Sequence, residues 1–392
     1  MINVKNFGAV GDGSTDDTTA IEAAINSLTD GGTVYFPTGQ YNHTGISVSN
    51  RRFITLIGES ETPPFRVAPE IGTRLVNTSN THHLNFHQCH GIRVKGLHFS
   101  NQAIPTAGTA IRFFSPYNGA GYCSVVDCRF EQVFNGIEID GVANSTISGN
   151  EFDRPVGDFG IKVHGTQKRV DQTRIIDNVL NTQVEGGSTK TNGIVIGNDT
   201  HTTFLERNSI IKARIGYLIE GAVAPEFTRF NASEAERCHF TGIVIGHANM
   251  IWMNDIYSSV NYQNGIYFTS SFDSMAEITN CDLRGNSQFG MLLDGSGGVH
   301  VTNPRICGNS NEGVGLYHGL LLASNVGNVS VIGGKIGGDV MGHGTGGQAS
   351  GICCSGGSGD KIVVQGVDLT GNQTAIIDAS SGTKKSITGN II

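Results

Sequence analysis

Two carboxylates alternate with two isoleucines in Asn135-Gly136-Ile137-Glu138-Ile139-Asp140. If this stretch is a strand with its isoleucines inward, Glu138 and Asp140 stand on the outer face, about 6.6 Å apart at Cα. Similar stretches supply Arg112 from Ala110-Ile111-Arg112-Phe113, and Lys162 and His164 from Gly160-Ile161-Lys162-Val163-His164. Stacked about 4.8 Å apart, these strands place Arg112 and Lys162 on either side of Glu138, His164 beside Asp140, and Arg93 with Lys95 one coil further. Such a pair of carboxylates can act as acid and nucleophile or as acid and base. Alternatively, Lys162 or His164 abstracts a proton while Arg112 neutralises a substrate carboxylate. The sequence leaves both chemistries open, together with a plainer account in which Arg112, Glu138 and Lys162 form a surface ion ladder of modest energy.

A second group is Glu234 and Glu236 in Asn231-Ala232-Ser233-Glu234-Ala235-Glu236-Arg237. Both face outward from another strand series and could meet Asp282 and Arg284 two coils on, against the competing account of a solvated acidic face. His343 and Trp252 have no partners at chemical spacing, so turn polarity and packing explain them better than catalysis. The eight cysteines show no paired metal spacing. Cys128 and Cys281 fall at inward positions, where a free thiol acts as a small hydrophobe. The expectation is therefore no metal and no cofactor.

The elements that position these residues are repeats. The core Gly-Ile-x-Ile recurs from Gly91-Ile92-Arg93-Val94 through Gly242-Ile243-Val244-Ile245 to Gly351-Ile352-Cys353-Cys354, in steps of 19 to 33 residues. That range signals stacked solenoid coils, with the variation placed in turns. A second series, such as Thr146-Ile147-Ser148-Gly149-Asn150-Glu151-Phe152, fills each period and gives at least two strands per coil. Short strands, apolar at alternate positions and separated by Gly and Asn turns, pack one face inward and pair with neighbouring coils. The expected fold is all-β, a right-handed parallel β-helix, the hand following from the crossover rule. Leucine-rich and propeller signatures are missing.

A solenoid grows without a single globular core, so 392 residues are read as one elongated domain, 46–392, entered through an N-terminal strand and capping helix, 1–45. Ser14 is the expected N-cap of that helix. Ala20, Ile21, Ala24, Ile25 and Leu28 are its apolar face, and Gly31-Gly32 ends it before the strand Thr33–Pro37. Such a helix covers the otherwise open first coil, whose unpaired strand edge would invite aggregation. Pro63, Pro64 and Pro69 and the glycine-rich segments 183–192 and 339–350 are expected to be lateral loops. The net charge of -8 disfavours nucleic acid as a partner. No apolar run reaches membrane-spanning length, and Met1-Ile2-Asn3-Val4 is expected to lead straight into structure without a signal sequence.

The run Val4-Lys5-Asn6-Phe7-Gly8-Ala9-Val10-Gly11-Asp12-Gly13, followed by Asp16-Asp17, Ala20-Ile21 and Gly32-Thr33-Val34-Tyr35-Phe36-Pro37, resembles the N-terminal signature of the pectate-lyase-like superfamily. Phage tailspikes, polygalacturonases and alginate epimerases share it. The resemblance implies a β-helix acting on acidic or complex polysaccharide laid along the coils. Of the polygalacturonase motifs only Gly342-His343-Gly344 is present, and the Asp-Pro-His of mannuronan epimerases is missing from the coil of Asp140. What remains resembles the tailspike-type depolymerases, whose catalytic residues follow no common motif. The expectation is a polysaccharide depolymerase, extracellular or virion-associated, working by hydrolysis or β-elimination. A non-catalytic saccharide-binding spike is the alternative and a uronan epimerase a minor one. In a hydrolase the Glu138–Asp140 separation would span both the retaining and the inverting range.

The outer column occupied by Glu138 turns apolar in later coils, reading Val195, Leu218, Val244, Tyr267, Leu292, Leu321 and Cys353. An exposed stripe of that extent marks an interface. With the tailspike resemblance it implies a homotrimer.

Overall fold

The computed structural model describes residues 1–59, 72–182, 190–313, 315–323, 326–338, 347–355, 361–380 and 384–392. The three expected-loop prolines, Gly342-His343-Gly344 and most of the two glycine-rich segments lie outside them. The fold is a parallel β-solenoid whose coils each contribute a strand to three parallel sheets. It comprises two compact units, Met1–Phe204 and Leu205–Ile392.

In the first unit, the first sheet includes Arg52–Gly58, Arg93–Lys95, Ser124–Val126 and Thr146–Ser148. The second includes Thr73–Asn77, His98–Asn101, Arg129–Glu131 and Glu151–Asp153. The third includes Leu84–His87, Thr109–Phe114, Asn135–Asp140, Phe159–His164 and Asn192–Ile196. The second unit repeats the plan, for example with Asn249–Asn254, Tyr257–Ser259 and Ile266–Phe268 in one coil.

The segment Thr146–Phe152, which reads as one strand, is two strands on different sheets, hinged at Gly149 (φ 65°). Single left-handed residues turn most such corners, including Asp127, Asp177, Asn280 and Asn303, which tolerate that region well. Other corners place Gln132, Arg154 or Val260 there. Glycine and asparagine therefore mark only some of the turns.

The anchor glycine has a different cause. A Cβ on Gly136 would lie 2.2 Å from the Gly160 carbonyl oxygen and 2.4 Å from Phe152 Cε1. The strand starts pack too closely between coils for any side chain, which is why glycine recurs ahead of the inward isoleucine.

Inside the first unit, Phe99, Phe130 and Phe152 stack at centroid distances of 5.2 and 4.5 Å, and Phe86 lies over Phe113 at 4.9 Å. Buried amides also bond from coil to coil, Asn150 to Asn178 (2.9 Å) in the first unit and a longer ladder in the second. Asn261 donates to Asn286 (2.9 Å), Asn286 to Asn309 (2.9 Å), Asn309 to Gln348 (3.1 Å) and Gln348 to Asn372 (2.8 Å). Each buried amide is matched by its neighbour one coil on, which avoids the cost of burying it alone. All eight cysteines are buried, and Cys128 and Cys281 are free thiols as expected.

Among the described residues the only α-helix is Thr18–Asn26. It begins later than Ser14 because Asp12–Asp16 is a strand and Asp17 holds the N-cap position. The buried Asp17 carboxylate accepts from the Val10 N–H (2.6 Å) and the Gly11 N–H (3.0 Å), so it ties the glycine turn to the helix start. Ile21, Ala24 and Ile25 are buried beneath the helix, as its apolar face predicts.

The copy at Gly91 is misassigned by the repeat pattern. Arg93–Lys95 belongs to the first sheet, with Arg93 opposite Thr55 and Ser124. The third-sheet strand that precedes Arg112 is Leu84–His87. Alternating apolar residues look alike on all three sheets, and only the short step of 19 residues from Gly91 to Ala110 betrayed the difference.

Candidate active site

The third sheet of the first unit presents two adjacent outer columns. One reads Asn85, Arg112, Glu138, Lys162 and Val195, and the other His87, Phe114, Asp140 and His164. Phe113, Ile139 and Val163 occupy the intervening inward positions and are buried. Their burial fixes the register that aims the polar side chains outward, because a slip by one residue would exchange the two faces.

Four of these side chains form a connected cluster. Arg112 Nε donates to Glu138 Oε2 (3.0 Å), and its Nη2 lies 3.8 Å from Asp140 Oδ2. His164 Nε2 lies 2.9 Å from Glu138 Oε1, so the histidine bonds diagonally across the columns rather than to its neighbour Asp140. Asp140, 2% exposed, accepts from the Thr166 N–H and from its hydroxyl, all at 2.9 Å. The Arg112 guanidinium also sits 4.6 Å from the centroid of the Phe114 ring. Two carboxylates and one ring therefore hold it in one pose.

Burial pushes the Glu138 carboxyl upward, but the His164 bond and the charges of Arg112, His164 and Lys162 outweigh it and hold the group below the usual glutamate range. Lys162 lies directly opposite Glu138 one coil on, with its ammonium 5.6 Å from the Phe159 ring centroid. His82 was not anticipated. Its Nδ1 accepts from the Thr109 N–H (3.1 Å), which puts the proton of the neutral ring on Nε2. Burial and the charge of Arg112 hold its pKa down, against the opposing pull of Glu138. Nothing in its sequence surroundings marks it, since it lies in the corner before the strand Leu84–His87.

Glu138, Asp140 and His164 each offer a ligand atom, all within 4.8 Å of one another. The expectation of no metal did not foresee this donor set, whose residue types suit a cation. Arg112 lies against both carboxylates and Thr166 bonds both oxygens of Asp140, so a cation there would share these oxygens with existing partners.

The remaining sequence candidates do not join this cluster. Arg93 is on the first sheet, where Lys95 pairs with Asp127 at 3.6 Å. Glu234 and Glu236 stand on the second sheet of the other unit, and Asp282 and Arg284 occupy their columns two coils on, as expected. Tyr257 and Ser259 intervene, however. Glu234 accepts from the Ser209 hydroxyl, Glu236 pairs with Arg237 (3.1 Å), and Asp282 pairs with Arg284 (2.7 Å). Each of these three carboxylates thus has a nearby partner of its own. Trp252 packs over Phe227 (5.9 Å) beneath the Arg229 guanidinium (4.8 Å), which agrees with its reading as a packing residue.

The second sheet of the first unit carries a charged cluster that the sequence reading missed. Glu131 lies 3.1 Å from His98 Nε2, 3.3 Å from Arg154 and 3.6 Å from Arg74. Its carboxyl is lowered to about 2, first by His98 and further by the nearby arginines against the effect of burial. Burial and the charges of Asp153 and Glu131 raise the neighbouring Glu151. Arg154 reaches Glu131 from a left-handed corner, a geometry that strand periodicity does not reveal.

Residues 1–167 match the family model described as rhamnogalacturonase A/epimerase, pectate lyase-like. That match covers less than half of the chain, and the parallel β-solenoid agrees with it in fold. A segment of 45 residues is 60% identical to Alginate lyase 7 of Azotobacter vinelandii, covering 11% of this chain and 5% of that protein. The A-module of the mannuronan C-5 epimerase AlgE4 of the same organism superposes with a TM-score of 0.63 at 18% identity, over 99% of this chain and 100% of that one. Tailspike protein 3 of bacteriophage CBA120 gives a TM-score of 0.74 at 12% identity, over 100% of this chain and 61% of that one. At such identities the two structures share the fold alone.

Proposed function

We propose that this chain is a polysaccharide depolymerase that cleaves a uronate-containing polymer by β-elimination at the Glu138–His164 cluster. The observation that carries the reading is the 2.9 Å contact between His164 Nε2 and Glu138 Oε1. In its neutral form, the imidazole bonded to this ionised carboxylate carries its proton on Nε2, which leaves the lone pair on Nδ1 to accept a proton. In the proposed step His164 removes the proton α to the uronate carboxylate. The freed electron pair forms the ring double bond, and the glycosidic bond breaks with its electrons leaving on oxygen, which then takes up a proton. Arg112 and Lys162 supply positive charge where the carboxylate becomes enolate-like, and neutral His82 supplies an Nε2–H donor.

Hydrolysis at the same place needs a protonated carboxyl. Glu138 is held below the usual range, which does not suit it to that role. The names alginate lyase and mannuronan epimerase among the relatives support a uronate substrate, since lyase and epimerase share the same first proton abstraction. The tailspike likeness supports the extracellular or virion-associated setting and the homotrimer as parts of the same proposal.

Incubation with alginate, polygalacturonate and neutral polysaccharides tests the reading. Ultraviolet-absorbing unsaturated ends are expected from a uronate polymer. New reducing ends without that absorbance would replace elimination with hydrolysis and direct attention to Glu131 and Glu151. Inverted sugar residues in an uncut chain would indicate an epimerase, and retention without any change a binding spike.

A further inference from the structure

The corner at which the third sheet hands the chain back to the first carries, in the early coils, an aromatic strip that the reaction at Glu138 does not use. Phe53 and Tyr122 are 60% and 63% exposed, and the ring of His90 lies between them at 5.4 and 5.3 Å. Both exposed aromatics sit in the left-handed region, at φ 54° and 57°, where bulky residues are rare and strained. In later coils of the same unit this corner position is filled by Asn144, Gln172 and Thr202. The second unit places Phe227 and Met250 at this corner, but Asn144, Gln172 and Thr202 show that the turn itself needs no aromatic.

The surroundings are fitted to the rings. A Cβ on Gly91 (φ 65°) would lie 2.6 Å from Phe53 Cδ1, so the Phe53 ring lies over this turn only because the residue is glycine. His90 Nδ1 donates to the Gly119 carbonyl oxygen (3.0 Å), which fixes the neutral tautomer with Nε2 as an acceptor. The strip thus offers apolar ring faces flanking one hydrogen-bond acceptor, repeated at the spacing of the coils. A sugar has the complementary surface, with apolar C–H faces ringed by hydroxyl donors.

The geometry points to a saccharide-binding strip at Phe53, His90 and Tyr122 that grips a polymer away from the point of cleavage. Sugar rings stack on Phe53 and Tyr122, and a hydroxyl between them donates to His90 Nε2. The strip borders the third sheet in the coils ahead of Glu138, and the stacked pair His87 and Phe114 (5.5 Å) continues from it toward Asp140 on that sheet's outer face. A chain bound on the strip is thereby led toward the candidate active site. Binding on the strip does not depend on which reaction occurs there.

Affinity electrophoresis of the full chain in gels containing alginate, polygalacturonate or a neutral mannan tests the assignment, with the double variant Phe53→Asn/Tyr122→Asn as the probe. Asparagine suits the left-handed corner, so this variant is expected to unfold within a few degrees of the parent while its retention falls by roughly tenfold or more. Phe53→Tyr/Tyr122→Phe should keep retention, and high salt should weaken it little because ring stacking is not an ion pairing. The strip is overturned if no polymer retards the parent, or if the asparagine variant is retarded equally. It is also overturned if that variant changes only the oligomeric mass in light scattering, which would make the strip a contact with a second copy. Turnover on short oligosaccharides should be unchanged in the asparagine variant, which separates failure of the strip from failure of the elimination reading.

Discussion

Arg112 touches Glu138, approaches Asp140 and lies on Phe114, and that threefold restraint makes it the organising cation of the site. Its replacement by lysine keeps the charge but loses the planar fork, so Arg112→Lys should lower kcat and disturb the Glu138 carboxylate together. Glu138→Gln preserves shape while removing the charge that steadies His164, and kcat should fall by roughly 10²- to 10⁴-fold with little change in unfolding. Unaltered turnover in that variant would remove Glu138 from the mechanism. Glu131 makes the contrasting prediction, since its role is electrostatic stability on another sheet. Its folded pKa of about 2 lies below the ordinary 4.5, so its stabilising contribution is complete above that value and fades as the pH falls toward 2. Denaturant titrations should show Glu131→Gln to be less stable at neutral pH, with the gap closing across this window. Alternation alone exposed Glu138, Asp140, Lys162 and His164 as outward neighbours. It could not reveal His82 or Arg154, because both sit at corners whose dihedrals carry no periodic signal.

The strands derive their register from inward residues, and the corner between the second and third sheets adds a polar check. The Gly45 N–H donates to His43 Nδ1 (3.2 Å), His43 Nε2 then donates to His83 Nδ1 (3.2 Å), and His83 Nε2 donates to Asn101 Oδ1 (3.2 Å). This chain is complete only when both rings are neutral. Burial lowers both pKa values, to about 4 for His83. The unfolded chain therefore takes up these protons first, and stability present above pH 6.5 should be lost progressively toward pH 4. A denaturation midpoint that stays constant over this range would contradict the tautomer chain. Ile161, fully buried between Ile137 and Ile194, supplies a second test at this scale. Ile161→Asp should cost several kcal/mol, roughly, and melt at a markedly lower temperature. The solenoid itself was legible because its inward alternation is strict. Assignment of Gly91 to the wrong sheet followed from the same strictness, since all three sheets share one pattern.

At the scale of the whole molecule, the apolar column in the second unit has the expected register from Leu218 through Val244, Tyr267, Leu292 and Leu321 to Cys353. Its exposure differs from the expectation, because Val244 and Cys353 are buried and the others only partly accessible. Side chains on successive strands cover one another along a column, which reduces what a partner could bury. The proposed homotrimer remains a proposal tested by light scattering during size exclusion. A trimer mass in the parent and a smaller mass in Leu218→Lys/Leu292→Lys would support the column as its contact. A monomer mass in the parent at micromolar concentration would contradict the trimer.

The central claim is that His164, steadied by Glu138, removes a proton from a uronate sugar. The most direct measurement is the ultraviolet absorbance of unsaturated product formed from a uronate polymer by the parent and by His164→Ala under identical conditions. The expected result is a steady rise with the parent and a rate lower by roughly 10²-fold or more with the variant, the usual scale of general-base loss. Equal rates from two equally folded proteins would contradict the claim.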